Sequence, residues 1–284
     1  MIKVLSSGFF TSVQDEGRFG YGKFGVPISG AMDKYSAKLA NHILSNEDND
    51  ALLEITLGTC KLLFNAQTII SITGADFLPK INNQKVLLNS TIKIQQGDVL
   101  TFNKPTFGVR CYLAVKGGFQ TEVVLKSRSF YSGITPQNRL KKKDELPYKP
   151  YDISLIKSLS SVKVEATNFK CTTIEVYTGP EYNLLNALQK EQFSKTLLTI
   201  SKENSRMGYR LQEHIENDLG SLLTSAVLPG TVQLTPSGKL IILMRDCQIT
   251  GGYPRILQLT ESSINNLAQK TTGDTFTFKI VPLN

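Results

Sequence analysis

Two arginines four residues apart, Arg206 and Arg210, stand in the stretch Ser-Arg-Met-Gly-Tyr-Arg-Leu that opens at Ser205. Guanidinium forks at that spacing can close on one anion, a carboxylate or a phosphate. Met207, Tyr209 and Leu211 alternate with them and would anchor the segment. Further along, Gln248-Ile249-Thr250-Gly251-Gly252-Tyr253-Pro254 reads as a turn that brings backbone N–H groups, the Gln248 amide and the Tyr253 phenol to one rim. A second polar set lies near the N-terminus. Asp15 and Arg18 stand in Gln14-Asp15-Glu16-Gly17-Arg18, Ser29 and Asp33 in the loop from Gly25 to Asp33, and Glu54 in Glu54-Ile55-Thr56-Leu57-Gly58. A carboxylate beside a glycine or a strand end can orient an arginine such as Arg18 or serve as a general base. It can equally cap a turn or hold a structural ion pair. The two sets together suggest a polar cleft built from loops at both ends of the chain.

Other chemistries are poorly supplied. His42 and His214 are the only histidines, and neither has Cys, Asp or Glu at ligand spacing, so no metal is expected. No Gly-x-Ser-x-Gly elbow occurs, which argues against a Ser-His-Asp hydrolase. The string Gly17-Arg18-Phe19-Gly20-Tyr21-Gly22-Lys23 matches the start of a P-loop, but Phe24 stands where a magnesium-binding Ser or Thr belongs. Gly20 to Gly25 also fits a dinucleotide fingerprint. Both motifs need an apolar strand directly before and a helix directly after; Gln14-Asp15-Glu16 precedes here and Val26-Pro27 follows. A loop whose glycines supply positive φ angles accounts for the string.

The elements that must position these residues are mostly strands. Thr68–Thr73, Val109–Val115 and Leu240–Met244 are short runs rich in β-branched residues, bounded by Gly, Asn or Asp. Helical patterns are few. Ala31–Leu44 places Met32, Tyr35, Leu39, Ala40 and Ile43 on one face, with Ser29 as a candidate cap; Glu181–Phe193 and Glu261–Gln269 are weaker. A faint repeat pairs Ile72-Thr73-Gly74-Ala75-Asp76-Phe77 with Tyr177-Thr178-Gly179-Pro180-Glu181-Tyr182, and Gly97–Phe102 with Gly273–Phe278. Two related β-rich domains follow, residues 1–168 and 169–284, with the polar stretch Lys141–Asn168 as linker. Many short strands with turn signals favour closed barrels over a parallel sheet.

The chain has 284 residues, 40% hydrophobic and 20% charged, which is ordinary globular composition. The formal net charge is +8, but the lysines are scattered apart from Lys141-Lys142-Lys143, so no nucleic-acid-binding face is expected. No apolar run approaches a membrane span, and Met1–Gly8 carries no signal-peptide pattern. Four widely spaced cysteines without paired spacing suit reduced thiols in a cytoplasmic protein.

The ordered motifs resemble the carboxyltransferase A/B-subdomain family, which takes in subunit 2 of allophanate hydrolase-type proteins, the Kip-inhibitor antagonist and the C subunit of prokaryotic 5-oxoprolinase. The resemblance runs through Gln14–Arg18, Gly25–Asp33, Glu54–Gly58, Thr73–Asp76, Ala114–Gly118, Ser127–Ser129, Arg206–Leu211, Ser225–Gln233 and Asp246–Pro254. It implies two cyclophilin-like β-barrel domains with a cleft between them and a few short helices. It also implies a partner similar to allophanate hydrolase subunit 1, the B subunit of a 5-oxoprolinase. The absence of a biotin carboxylase or biotinyl domain in this chain favours the 5-oxoprolinase type, in which A, B and C subunits together open 5-oxo-L-proline to L-glutamate with ATP. In that reading ATP is bound by a partner or shared with it. Arg206 and Arg210 would hold phosphate or the substrate carboxylate, Asp15 and Arg18 would form the other catalytic wall, and Ser29, Asp33, Glu54, Gln248 and Tyr253 would contact substrate. The alternatives are a non-catalytic regulator that binds a Kip-inhibitor-like partner, and a biotin-dependent carboxyltransferase of the urea carboxylase type.

Completing the P-loop string by Phe24→Ser is expected to bring no gain in ATP affinity, and Lys23→Ala to change it barely, in calorimetry on the isolated chain. A hundredfold loss on Lys23→Ala would move the nucleotide site into the glycine loop.

Overall fold

Short runs of apolar and β-branched residues dictate most of the backbone here, and they yield strands that pair almost entirely antiparallel, mostly with partners distant in sequence. The computed structural model describes residues 1–155, 161–164 and 171–283. The chain divides into two units: Met1–Arg18 with Ser29–Phe169, and Phe19–Ile28 with Lys170–Asn284. The molecule is mainly β, as expected.

The first unit carries the strands Ile2–Ser7 (β1), Phe10–Gln14 (β2), Leu52–Thr56 (β3), Cys60–Phe64 (β4), Thr68–Asp76 (β5), Lys80–Ile81 (β6), Gln84–Lys85 (β7), Ile92–Ile94 (β8), Val99–Thr101 (β9), Phe107–Val115 (β10) and Glu145–Leu146 (β11). They form a six-stranded sheet, β11-β1-β4-β9-β6-β7, and a five-stranded sheet, β2-β3-β10-β5-β8. The central strands β5 and β10 are buried almost end to end, because both of their faces are covered. Cys111, Leu113, Val115, Ile70 and Ile72 point into the main core with Phe64, Phe77 and Phe119. Their alternates Tyr112, Ala114 and Ile69 pack under the helix Lys34–Ile43 (α1) with Ala37, Ala40 and Leu44. Ser71 Oγ and Thr73 Oγ1 donate to the α1 carbonyls of Ala40 and Ser36 at 2.5 and 2.6 Å, which fixes the helix on the sheet.

Two details of α1 differ from expectation. Its cap is Asp33, whose carboxylate accepts from the Ser36 backbone N–H at 3.1 Å and the Ser36 hydroxyl at 2.6 Å. Ser29 lies upstream, in a left-handed conformation with φ 61°. The buried face is Ser36, Ala37, Ala40, Asn41 and Ile43, while Tyr35 is 54% exposed. Small residues face the sheet because helix and strands approach closely there; the larger Tyr35 does not fit beneath.

The second unit contains Thr173–Thr178 (β12), Leu198–Asn204 (β13), Gly208–His214 (β14), Ser225–Ala226 (β15), Thr231–Leu234 (β16), Lys239–Leu243 (β17), Thr250–Gly251 (β18), Arg255–Leu259 (β19) and Thr275–Ile280 (β20). Seven of these close into a barrel, β12-β19-β16-β17-β14-β13-β20, sealed by a parallel pairing of β12 with β20. Inward positions such as Ile174, Ile200, Tyr209, Val232, Ile242 and Phe276 are completely buried, so the barrel is a packed core rather than a pore. The helices Ala187–Lys195 (α2) and Glu261–Ala268 (α3) are capped by Asn186, in a capping box with Gln189, and by Thr260.

The faint repeat has a physical basis. Gly97 and Gly273 sit at φ 91° and 87° in matching turns, where Asp98 and Asp274 accept from the backbone N–H groups of Gln95 and Thr271 at 2.8 and 2.7 Å. Each turn leads directly into β9 or β20. Gly74 and Gly179 press against neighbouring strands: an added Cβ would lie 2.6 Å from the Arg110 carbonyl oxygen and 2.2 Å from that of Arg255.

The stretch from Lys141 begins as part of the first unit rather than as a linker. Ile2 pairs with Leu146, and the Tyr148 hydroxyl donates to the Ala66 carbonyl at 2.5 Å within the core. Residues 156–160 and 165–168 of that stretch, and the border at 168/169, lie outside the described residues. Among the described residues no helix is long and apolar enough to cross a membrane.

Gly97 has open space around a notional Cβ, whereas Gly74 combines φ 82° with backbone contact. Gly97→Ala is therefore expected to cost about 1 kcal/mol, the penalty of the left-handed conformation. Gly74→Ala should cost at least about 3 kcal/mol in the same urea titration, because the neighbouring strand must move as well.

Candidate functional site

The N-terminal polar residues fold into one buried network in the first unit. β2 ends at Gln14, and Asp15 turns inward with 6% of its surface exposed. Its Oδ1 accepts from the Gly17 N–H at 2.8 Å and from the hydroxyls of Ser127 and Ser129 at 2.7 and 2.6 Å; its Oδ2 accepts from the Arg128 N–H at 2.6 Å. Arg18, 1% exposed, donates to the Ser129 carbonyl. The Asp15 carbonyl accepts from Ala31 N at 3.0 Å, and this close passage requires Gly30, whose notional Cβ would lie 2.8 Å from the Glu16 oxygen. Ser29, fully buried, stands at this crossing.

Glu54 organises the neighbouring half of the network. It lies on β3 directly opposite Ser12 on one side and Tyr112 on the other. Its Oε2 accepts from Met32 N at 2.7 Å and from the Tyr112 hydroxyl at 2.9 Å, and Arg110 Nε lies 3.7 Å from its Oε1. The Tyr112 oxygen in turn accepts from Asp33 N at 2.8 Å. Burial first, then the nearby Glu54 charge, pushes the Tyr112 phenol well above its usual range, so it stays protonated and donates. Asp15, Arg18, Ser29, Asp33 and Glu54 thus lie within one unit, tied to backbone groups and to shared partners such as Ser129 and Tyr112.

The C-terminal set occupies the second unit, where its members part. Strand pairing separates the two arginines, because the segment is the end of a hairpin and the strand β14. Tyr209 and Leu211 point into the barrel and Arg210 points out. Arg206, in the turn before the strand, forks onto Asp246 with Nε–Oδ2 2.8 Å and Nη2–Oδ1 2.9 Å, both side chains about 90% buried. Arg210 donates to Glu203 Oε2 at 2.7 Å with both side chains about half exposed. The two guanidiniums therefore rest on different carboxylates.

Arg210 lines a cleft of about 520 Å³ on the outside of the barrel, together with Lys202, Glu203, Gln233, Gln248 and Tyr253. The Gly251-Gly252-Tyr253-Pro254 turn forms its far rim. That turn is held by pairing of β15 with β18, by Leu222 N donating to the Gly252 carbonyl at 2.7 Å, and by Arg255, which forks onto Glu181 at 2.7 and 3.0 Å. The Arg255 hydrogen bonds hold the Glu181 carboxyl below its usual range. Gly251 leaves room for Gln233, since a Cβ there would sit 2.5 Å from Gln233 Nε2. Arg210, Gln248 and Tyr253 are thus brought together as expected from their motifs, while Arg206 is not among the residues that line the cleft. Sequence reasoning does not single out Lys202, and it places Gln233 at the end of the Ser225–Gln233 motif without giving it a role. Lys202 precedes the motif on β13, the strand that pairs with β14, and nothing in its spacing signals it. Gln233 sits in a buried strand that reads as core.

The glycine loop is not followed by the helix that a P-loop requires. Gly22–Phe24 is one 3-10 turn, Phe24 is 69% exposed, and Lys23 Nζ lies 5.0 Å over the Phe24 ring. Among the described residues no group of three or more His, Cys, Asp or Glu is placed to hold a metal. The four cysteines are free; burial pushes Cys60 and Cys247 up to about 12, which leaves them unreactive thiols.

A family model described as the carboxyltransferase domain, subdomain A and B, matches residues 24–280. The chain belongs to this carboxyltransferase family. Within it, the chain is 33% identical over 288 residues to the 5-oxoprolinase C subunit of Escherichia coli, covering 98% of this chain and 90% of that one. It is 29% identical to the 5-oxoprolinase C subunit of Haemophilus influenzae, covering 100% and 92%. The crystal structure of the K. lactis urea amidolyase superposes with TM-score 0.83 at 29% identity over the whole chain, which spans 19% of that larger protein.

The two ion pairs carry opposite expectations. Arg206→Ala leaves the Asp246 carboxylate buried and uncompensated, and should cost about 3–5 kcal/mol of stability. Arg210→Ala removes a half-exposed pair and should cost less than about 1 kcal/mol. Thermal and urea unfolding of the two variants check both; equal losses would mean that the burial difference does not govern them.

Proposed function

We propose that this carboxyltransferase-family chain is the C subunit of an ATP-dependent 5-oxoprolinase and helps open 5-oxo-L-proline to L-glutamate together with the A and B subunits. The observation that carries the reading is the similarity to two 5-oxoprolinase C subunits along 98% and 100% of this chain and 90% and 92% of theirs. The cleft of the second unit suits that substrate. Its ligand-facing cations, Arg210 and Lys202, match one carboxylate, while the Gln233 and Gln248 amides and the Tyr253 phenol can both donate to and accept from a lactam.

A lactam carbonyl is a poor electrophile, and ATP supplies its activation. The glycine loop of this chain lacks the helix that follows a P-loop, so the nucleotide is assigned to a partner or to a surface completed by one. The task left to this chain is to orient the ring and balance its charge. Asp15, Arg18, Ser29, Asp33 and Glu54 act on the fold of the first unit, and Arg206 acts by holding Asp246 two residues from Gln248. Likeness to urea amidolyase favours carboxyl transfer as a second reading, and it rests on a much smaller share of the relative's length.

Reconstitution decides between them. With the A and B subunits, ATP and 5-oxo-L-proline, glutamate release should depend on this chain. Arg210→Ala should lower kcat/KM about tenfold to a hundredfold, the worth of one charged hydrogen bond, while leaving stability nearly unchanged. Glutamate release that is indifferent to this chain, with carboxylation of urea restored instead, would overturn the assignment.

A further inference from the structure

We infer that Glu203 is a specificity-determining residue: paired with Arg210 at the mouth of the second unit's cleft, it admits a small monoanion and turns away multiply charged anions. The inference deepens the reading of this cleft as the substrate site and rests on it for the identity of the monoanion.

Three lining side chains carry formal charge, the cations Lys202 and Arg210 and the carboxylate Glu203. The cleft therefore has one net positive charge with Glu203 in place. A bound carboxylate brings it to neutrality. A phosphate or polyphosphate would overshoot and set two or more negative charges beside Glu203. Arg210 gives one N–H to Glu203 at 2.7 Å; a guanidinium carries five, so a second carboxylate can share the fork without displacing the first. The pair is no strut of the fold. Its side chains are 49% and 52% exposed, against 9% and 11% for Arg206 and Asp246. Glu203 is nonetheless presented in a fixed place. Its N–H donates to Ser201 Oγ at 3.1 Å, and the next residue, Asn204, bonds the Ser201 carbonyl and Thr272 Oγ1, both at 2.8 Å. A carboxylate held at the rim of a cationic cleft by its own strand discriminates by repulsion, as specific sites commonly do.

The test uses the intact chain, with 5-oxo-L-proline and pyrophosphate as probes, titrated by NMR or calorimetry. The wild-type chain should bind 5-oxo-L-proline in preference to pyrophosphate. Glu203→Gln, isosteric and still able to bond Arg210, should raise pyrophosphate affinity by about fivefold or more relative to 5-oxo-L-proline. Arg210→Ala should weaken both probes. An unchanged ratio in Glu203→Gln, a chain that binds neither probe, or Arg210→Ala without effect would each overturn the inference; unfolding curves on the same samples exclude a folding defect. A selectivity switch in the isolated chain with no glutamate release on reconstitution would leave Glu203 as the selector and sink the 5-oxoprolinase reading instead.

Discussion

The carboxylate of Asp15 is the constraint on which the first unit depends. Four donors from two distant segments converge on its two oxygens: Gly17 N–H, Arg128 N–H and the Ser127 and Ser129 hydroxyls. The site is largely buried, so leaving these donors or the carboxylate without partners would be costly. The Asp15 carbonyl then receives Ala31 and sets the chain on course for Asp33, whose N–H meets Tyr112 and whose carboxylate starts α1. Glu54 closes the circle by accepting from both Tyr112 and the Met32 N–H. Three loop segments and a helix are thus referred to the carboxylates of Asp15, Asp33 and Glu54.

That concentration of roles explains why the polar motifs read as chemistry. A buried carboxylate with several donors and a catalytic carboxylate look alike in a sequence: both are acidic residues beside glycines, at strand ends, near an arginine. What separates them is burial and partner identity, and these depend on residues more than a hundred positions away, such as Ser127 and Ser129. The strands β5, β10 and β17 are legible because their apolar runs are local. So are the three helices and the matching Gly-Asp turns at Gly97 and Gly273, whose signals lie within a few residues. The start of α1 is not, for a related reason. Ser29 and Asp33 are both good caps, and the helix takes Asp33 because it begins only at Lys34, while Ser29 stands upstream with a left-handed backbone.

The arginines of the second unit make the same point in reverse. Spacing of four residues suggests one helical face, where both guanidiniums would converge. On a hairpin the same spacing puts one residue in the turn and the other on the strand, and Arg206 and Arg210 go to different carboxylates. The hydrophobic alternation of Tyr209 and Leu211 is plain in the sequence. It is a strand pattern of period two, and it places Arg210 outside the barrel by the same rule that buries its neighbours.

Exposure then sorts the two pairs into different duties. Arg206 and Asp246 fix the hairpin against the segment that leads to Gln248: Asp246 N donates to the Arg206 carbonyl at 2.9 Å and Met244 N to that of Met207 at 3.0 Å. Removing either charge strands the other in a poorly solvated site, so the pair behaves as a rivet. Arg210 and Glu203 cost little to separate and sit where a ligand can reach them. A cleft that must recognise charge gains from this division. In the proposed reading its frame is set by a largely buried pair that salt screens little, while the half-exposed pair at the cleft stays weakly committed and can be shared with a ligand. The strength of an ion pair in the folded chain is therefore a poor guide to a part in binding; on the proposed reading of this cleft, the weaker pair is the one within a ligand's reach.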